Sequence, residues 1–227
     1  MRLAQRPALH AAAVVFFFTA VYAAFFAPVL CAGRLLAPGD ATNLSLPHLY
    51  APRVLWSPLL FCGFPVMADP QTMAWYPPAL LCSAVSAPFN AFVLAAYVLA
   101  SCFTYGYVFA LTGSRLGALA AGLVYGLSGF MMSHMGHTNV IHSAAWAPLL
   151  IWALEELRRR LSPAWVAVAA VAVGAGTLAG HPQFAFYNLL LGAGYALAVV
   201  RGASAGHRRF LGAAAAAMAL GLALAAV

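Results

Sequence analysis

The sequence predicts an all-α membrane protein, a polytopic bundle of about seven spanning helices in which a long outward loop separates the first two. Two observations lead to this class. Hydrophobic residues make up 65% of the chain and charged residues only 7%, too few to cover a soluble protein with charge. The arginines also fall beside alternate ends of the apolar runs, which is typical of a protein whose basic loops stay in the cytoplasm.

The predicted spans are apolar runs, each near the roughly 20 residues that a membrane helix needs. They form one predicted transmembrane domain over residues 1–227, and their bounds are 8–30, 88–112, 116–133, 142–157, 163–180, 184–200 and 210–227. The first run is longer than a signal-peptide core, so it predicts an uncleaved span. The fourth is short and carries Pro148. Because the last run reaches Val227 without a polar tail, the chain is expected to be the N-terminal fragment of a longer protein.

The basic residues predict the orientation of the bundle. Every second gap between the apolar runs is basic, and only Arg34 and Arg53 lie outside these basic gaps. The arginines inside those gaps are Arg2, Arg6, Arg115, Arg158, Arg159, Arg160, Arg201, Arg208 and Arg209. This pattern predicts a cytoplasmic N-terminus and an outward loop over residues 31–87. The net charge of +7 therefore indicates topology, and no nucleic-acid partner is expected. Exclusive use of Arg over Lys, with abundant Ala, suggests a GC-rich bacterial gene, so the predicted location of these spans is a bacterial plasma membrane.

The outward loop is predicted to be broken into short pieces. Its many prolines prevent long helices, and its aromatic residues suit the membrane–water boundary. One or two short interfacial helices are expected, around residues 50–60 and 78–86. Of the four cysteines, Cys31, Cys62 and Cys82 lie in or near this loop, where a disulfide is permitted; unpaired apolar filling is the alternative.

Polar residues that could carry chemistry converge on the outward side. They are Asp40 after the first span, Asp69 later in the loop, His134, His137 and His142 with Asn139 between spans three and four, and His181 and Gln183 between spans five and six. A carboxylate can act as a general base or hold a divalent cation, and imidazoles or arginines can stabilise a departing phosphate. This grouping predicts phosphate-related chemistry outside the cytoplasm.

Each of these residues also has a simpler interpretation. Asp40 could cap a helix, and Asp69 before a proline could begin a turn. The spacing of His134, His137 and His142 is near that of some zinc sites, but no Cys or carboxylate lies between them. A further alternative pairs Ser128, in a Gly-x-Ser-Gly sequence, with His181 as in an intramembrane serine protease.

Several longer segments occur in order between about residues 39 and 190. They are Gly39-Asp40; Gly63-x-Pro65-x-x-Ala68-Asp69-Pro70-Gln71; Tyr76-Pro77-Pro78; Ser128-Gly129-Phe130 with His134 and His137; Ala145-Trp146-x-Pro148-Leu149; and Leu178-Ala179-Gly180-His181-Pro182-Gln183. Together these segments resemble the bacterial YfhO-like membrane proteins.

The resemblance implies a polytopic glycosyltransferase of the GT-C type, which takes a sugar from a polyprenyl-phosphate donor and passes it to a cell-envelope polymer or lipid. Such enzymes keep an essential acidic residue in the first outward loop, where Asp40 stands. The expected roles are Asp40 as base, Asp69 as its assistant through hydrogen bonds or a divalent cation, and the following as phosphate-binding residues: Arg53, His134, His137, His181 and Gln183. No resident metal or other cofactor is predicted with certainty. Members of the family are usually longer than this chain.

Two other classes compete with an enzyme. A transporter or lipid flippase tends to place ionisable residues or broken helices near the middle of the bilayer, whereas the predicted spans carry almost no ionisable residues away from their ends. An inactive fragment with a structural role is the other alternative. The sequence therefore favours chemistry at the outer membrane surface.

Overall fold

The computed structural model describes residues 7–51, 53–200 and 204–226. Helix accounts for 75% of the structure, and the described residues form no strand, only an isolated bridge between Ser57 and Phe64. The predicted all-α class is therefore confirmed. Arg2, Arg6, Arg201 and Val227, which entered the topology and span predictions, lie outside the described residues.

The described part of the chain folds into α-helices of very different lengths. In chain order they are α1 (Pro7–Phe25), α2 (Ala27–Leu30), α3 (Leu46–Tyr50), α4 (Pro77–Ala84), α5 (Phe89–Thr112), α6 (Arg115–Gly126), α7 (Gly129–Ser133), α8 (Thr138–Ala145), α9 (Ala147–Arg159), α10 (Pro163–Leu178), α11 (Pro182–Ala198) and α12 (Ala205–Leu224).

Three segments are long and apolar enough to cross a membrane: Ala8–Phe25, Phe89–Thr112 and Arg115–Ser133. They correspond to the first three predicted spans, and this finding is consistent with a membrane protein. The first helix ends earlier than predicted, at Phe25, with the short α2 following it. Pro28 explains the break, because its ring conflicts with the helical carbonyl four residues earlier and removes one N–H donor.

Three of the other four predicted spans are present as short or interrupted helices and the last as a helix with a basic first turn, and their crossing of a membrane stays a prediction. Span 142–157 divides into α8 and α9 at Trp146, just before Pro148. Helices α10 and α11, with 16 and 17 residues, are about 24 to 26 Å long, less than the ~30 Å hydrocarbon core. Helix α12 has 20 residues but begins with a basic turn that contains Arg208 and Arg209.

Helix α5 lies at the centre of the packing. It contacts α1, α6, α8 and α9, and α10 in turn packs against α9, α11 and α12. The core side chains are large and include Tyr97 and Phe92 from α5 and Leu154 from α9, all fully buried. Gly126 of α6 allows a close approach, because a Cβ there would collide with the Tyr22 hydroxyl of α1. One continuous core therefore joins the two ends of the described chain.

The long loop over residues 31–87 contains a helix at one of the two predicted places. The helix predicted around 78–86 is present as α4, and its position at a membrane interface stays a prediction. The helix predicted around 50–60 is wrong, because α3 already ends at Tyr50. Pro58 and the left-handed backbone of Phe61 and Cys62 exclude a helix from the segment that follows. Instead, residues Ala41–Ser45 form a π-helical turn that runs into α3.

The loop is not closed by a disulfide. All four cysteines are free: Cys31 and Cys62 are exposed, and Cys82 and Cys102 are half-buried. The alternative of unpaired cysteines is therefore the one that the structure shows.

Candidate functional site

A carboxylate and an imidazole meet at the end of the bundle that carries the long loop. The Asp40 Oδ2 atom lies 3.5 Å from Nε2 of His137, and both side chains are largely open to solvent, with 69% and 52% exposure. At this separation a small movement would allow a charge-assisted hydrogen bond. An exposed pair of this kind can reach an incoming substrate and exchange a proton with it.

The backbone around Asp40 is held against the turn that carries His137. Gly39 adopts φ +57°, a left-handed conformation that glycine takes at little cost. Gly136 lets the two segments approach, because a Cβ there would lie only 2.7 Å from the Pro38 carbonyl oxygen. The Thr138 hydroxyl donates a hydrogen bond of 2.5 Å to the Ser45 hydroxyl, one helical segment after Asp40. Local geometry therefore fixes the approach of Asp40 to His137.

Two further histidines surround this pair. The ring centroids of His134 and His137 are 5.9 Å apart. His181, at the N-terminus of α11, stacks edge to face on Phe184 at 4.9 Å, and Phe184 also contacts the ring of His134 at 6.3 Å. The structure therefore brings Asp40, His134, His137 and His181 together, although they come from three separate parts of the chain. We call these four residues the histidine–aspartate cluster.

The ring nitrogens of His134 and His181 differ in their hydrogen bonds. His134 donates from Nδ1 to the Phe130 carbonyl oxygen at 2.9 Å, so its Nε2 is the unprotonated atom when the ring is neutral. Within the described part of the chain, Nδ1 of His181 is buried and has no hydrogen-bond partner. Burial lowers the pKa of His181 below its ordinary value of 6.5, and the neighbouring His137 and His134 lower it further.

Asp69 precedes a different turn from the one that follows Asp40. Its Oδ1 accepts a hydrogen bond of 3.0 Å from the Gln71 backbone N–H and so caps the short 3₁₀ turn Pro70–Thr72. The carboxylate borders a cavity of about 220 Å³ whose lining includes Thr177 and Leu178 of α10. The described contacts of Asp69 are thus those of the turn that its sequence also predicted.

Arg53 and Gln183 are also engaged locally. Arg53 donates to the Ala74 carbonyl oxygen and the Ser83 hydroxyl, both at 3.2 Å, and so ties the first half of the loop to the second. Gln183 donates to the Tyr187 hydroxyl at 2.6 Å, one turn further along α11. Among the described residues, neither side chain forms a hydrogen bond or ion pair with the histidine–aspartate cluster. Their predicted contact with phosphate stays a prediction.

His142 does not belong to the histidine–aspartate cluster. It is fully buried, and its Nε2 donates to the Phe92 carbonyl oxygen at 3.1 Å. Its Nδ1 accepts from the Tyr76 hydroxyl at 3.0 Å, and that hydroxyl accepts from Nε1 of Trp146 at 3.0 Å. Both ring nitrogens are therefore occupied, and the zinc-like set of His134, His137 and His142 is not assembled. We call the three side chains of His142, Tyr76 and Trp146 the buried triad.

Two further polar side chains have structural roles. The Ser128 hydroxyl accepts from the Met131 N–H at 3.4 Å and caps helix α7, which gives it a structural role. Glu155, at the opposite end of the bundle, is 3% exposed and accepts two hydrogen bonds from Arg158, at 2.7 and 2.9 Å. It is the partner of a helix-end arginine cluster, as the spacing of these residues indicates.

The geometry gives a limited fit to a divalent cation. Three or more ligands usually come from protein side chains when a site is dedicated to a metal. No group of three His, Cys, Asp or Glu side chains with such geometry occurs in the described ranges. The cluster instead offers one carboxylate and several imidazoles, a set suited to proton transfer and to hydrogen bonding with an anion.

The sequence does not reveal the structural roles of two aromatic residues, Phe184 beside the histidine–aspartate cluster and Tyr76 in the buried triad. Phe184 contacts the rings of both His181 and His134, and its position two residues after Pro182 gives no sign of this. The sequence places Tyr76 among the aromatic residues of the loop and in a segment of the family resemblance, yet Tyr76 is fully buried and bonded to His142. Tyr76 and His142 are 66 residues apart in the sequence, so no local pattern indicates the hydrogen bond between them.

The structure thus defines an all-helical protein with three apolar helices long enough to cross a membrane and an exposed polar cluster at one end. No family model, curated protein or solved structure matches this chain. The similarity to YfhO-like proteins therefore stays a prediction from the sequence.

Proposed function

We propose that this chain is a membrane glycosyltransferase of the GT-C type, with seven spans and its cluster on the outer face of a bacterial plasma membrane. It would transfer a sugar from a polyprenyl-phosphate donor to a polymer or lipid of the cell envelope. The observation that supports this proposal is the exposed pair of Asp40 and His137, 3.5 Å apart. It sits beside His134 at one end of a helical bundle with apolar helices of membrane length.

The proposed reaction is a direct displacement at the anomeric carbon. Asp40 accepts the proton of the acceptor hydroxyl, and the oxygen of that hydroxyl forms the new bond to the sugar. The bond between the anomeric carbon and the phosphate oxygen breaks, and its electron pair stays on the lipid phosphate. His137 holds the Asp40 carboxylate in place, and His134 is the hydrogen-bonding partner of the departing phosphate. One displacement inverts the configuration at the sugar.

A phosphate leaving group also suits the other members of the cluster. The buried Nδ1 of His181, which lacks a partner among the described residues, could donate to a phosphate oxygen once the ring is protonated. Binding of an anion would favour that protonation, against the desolvation that lowers the pKa of this histidine. No step is assigned to a metal, because the described side chains do not assemble a set of three ligands.

The test is the substitution Asp40→Asn in the chain expressed in bacterial membranes. Transfer from radiolabelled polyprenyl-phosphate hexoses to envelope material is measured, and loss of a general base should lower the rate by about 10²- to 10⁴-fold. Asp69→Asn is the matched control, because the amide oxygen can still cap its turn and the rate should fall far less. Wild-type transfer by the Asp40→Asn protein would overturn the mechanism.

One observation favours a second function, that of a transporter or lipid flippase. The predicted fourth span is broken at Trp146, and the helix before the break buries polar side chains, among them Asn139, His142 and Ser143. Broken helices with buried polar groups are typical of transport sites. Purified protein in vesicles distinguishes the two: movement of a labelled lipid between leaflets without sugar transfer would support the transporter.

A further inference from the structure

A large apolar cleft opens at the end of the bundle opposite the histidine–aspartate cluster. Its volume is about 480 Å³, and it lies between α1, α5 and α9 with one side chain from α10. Its apolar lining includes Val14, Val15, Phe103, Phe109, Trp152 and Trp165. Helix α1 leaves much of its surface uncovered, so the cleft faces the side of the bundle where lipid would lie.

Polar groups line the same cleft alongside its apolar walls. Arg160 and Glu156 both border it, and their side chains form an ion pair of 2.8 Å. His10 and Tyr105 border it too and share a hydrogen bond of 2.9 Å. The Arg160 side chain is 70% exposed, so most of its guanidinium remains available to another anion.

The charge around this polar part is positive. In the segment Glu155–Arg160 the three arginines outnumber the two glutamates by one. Arg115 follows the end of α5 by three residues, so it adds another positive charge at this end of the bundle. A long apolar cleft beside a basic group is complementary to an amphiphile with an anionic head, because lipid head groups bind in basic pockets between spanning helices.

We propose that this cleft binds one acyl chain of an anionic phospholipid of the cytoplasmic leaflet, with the lipid phosphate beside Arg160. The acyl chain lies along Val15, Phe109 and Trp152, and the phosphate accepts hydrogen bonds from the guanidinium. This site is separate from the outward cluster and does not depend on the proposed reaction. It would make the protein sensitive to the lipid composition of its membrane.

Cys102 provides a direct readout, because it lines the cleft and is half-buried. The experiment uses a protein in which the other cysteines, Cys31, Cys62 and Cys82, are replaced by serine. The protein is held in neutral detergent, and the rate of maleimide labelling of Cys102 is measured. Phosphatidylglycerol, phosphatidylcholine of the same chains and inorganic phosphate are added in parallel.

We expect phosphatidylglycerol to slow the labelling at concentrations about fivefold or more below those needed for phosphatidylcholine. One basic residue near an anionic head group contributes about 1 kcal/mol to binding, which corresponds to this ratio. Arg160→Gln should remove most of this preference, while Arg208→Gln, at an exposed position on α12, should keep it. Val15→Trp should fill the cleft and abolish protection by lipid. Val171→Trp is its control, because both valines are about half exposed, at 48% and 49%, and Val171 does not line the cleft.

Four outcomes would overturn the proposal. Equal protection by the two phospholipids would mean simple apolar filling without recognition of the head group. Protection by inorganic phosphate alone would indicate a site for free anions. Protection that rises with protein concentration and needs no lipid would indicate a second copy of the chain as the occupant. Unchanged protection in the Val15→Trp protein would place the lipid elsewhere.

Discussion

The buried triad offers a sharp test of how the long loop is attached to the helices. The Tyr76 hydroxyl donates to Nδ1 of His142 and accepts from Nε1 of Trp146, both at 3.0 Å. Burial raises the pKa of the Tyr76 phenol, so the hydroxyl keeps the proton that it donates. Tyr76→Phe removes the oxygen but keeps the ring, and it leaves one acceptor and one donor without their partner.

The expected cost follows from these two orphaned groups. A buried polar atom that loses its partner costs about 1–3 kcal/mol. Because the two losses occur at adjacent sites that could relax together, we expect Tyr76→Phe to lower the free energy of unfolding by about 2–4 kcal/mol. Tyr50→Phe is the control: the Tyr50 hydroxyl donates only to the Ala87 carbonyl oxygen in an exposed position, so its loss should cost below about 1 kcal/mol.

Unfolding by denaturant in mixed micelles measures both variants in the same detergent. A double-mutant cycle with Trp146→Phe should show coupling of about 1 kcal/mol or more, because the two side chains share a hydrogen bond. If Tyr76→Phe is as stable as the wild type, or if it costs no more than Tyr50→Phe, the buried triad does not hold the loop to the bundle.

Three further predictions concern other parts of the molecule. Gly180→Ala should destabilise the protein by more than about 2 kcal/mol in the same unfolding assay, because Gly180 has φ +92° and a Cβ would collide with the Pro70 carbonyl oxygen; Gly194→Ala, in open space within α11, should be neutral or stabilising. Glu155→Gln should lower stability by roughly 2 kcal/mol, since it removes the charge that two arginines share, and an unchanged unfolding curve would contradict this. Because the folded state lowers the pKa of His181, protons bind more readily to the unfolded chain, so the wild type should lose stability relative to His181→Gln as the pH falls below about 6.5; parallel pH profiles would refute this.

The parts of the fold that the sequence predicted well are those with local signals. The second span was predicted over 88–112 and the helix runs from Phe89 to Thr112, because Pro88 precedes its first residue and Gly113 ends it in a left-handed conformation. The helix near 50–60 was predicted wrongly. Aromatic residues there suggested an interfacial helix, but the left-handed residues Phe61 and Cys62 could not be foreseen.

The sequence predicts which residues of the candidate site share one side of the bundle, but it does not predict the distances and hydrogen bonds between them. Asp40, His134, His137 and His181 were expected to share a surface, and the structure brings them together. His142 was grouped with them because it follows His137 by only a few residues. Its partner Tyr76 lies 66 residues away in sequence, so the bond that buries it could be seen only after folding.

The π-helical turn after Asp40 has a consequence for the position of the Asp40 carboxylate. Its hydrogen bond runs from the Leu46 N–H to the Ala41 carbonyl oxygen, one residue wider than in an α-helix. Tightening to the ordinary pitch would absorb one residue, which corresponds to a rotation of about 100° around the axis. Such a change of register would turn the Asp40 carboxylate away from His137 without a shift of any long helix.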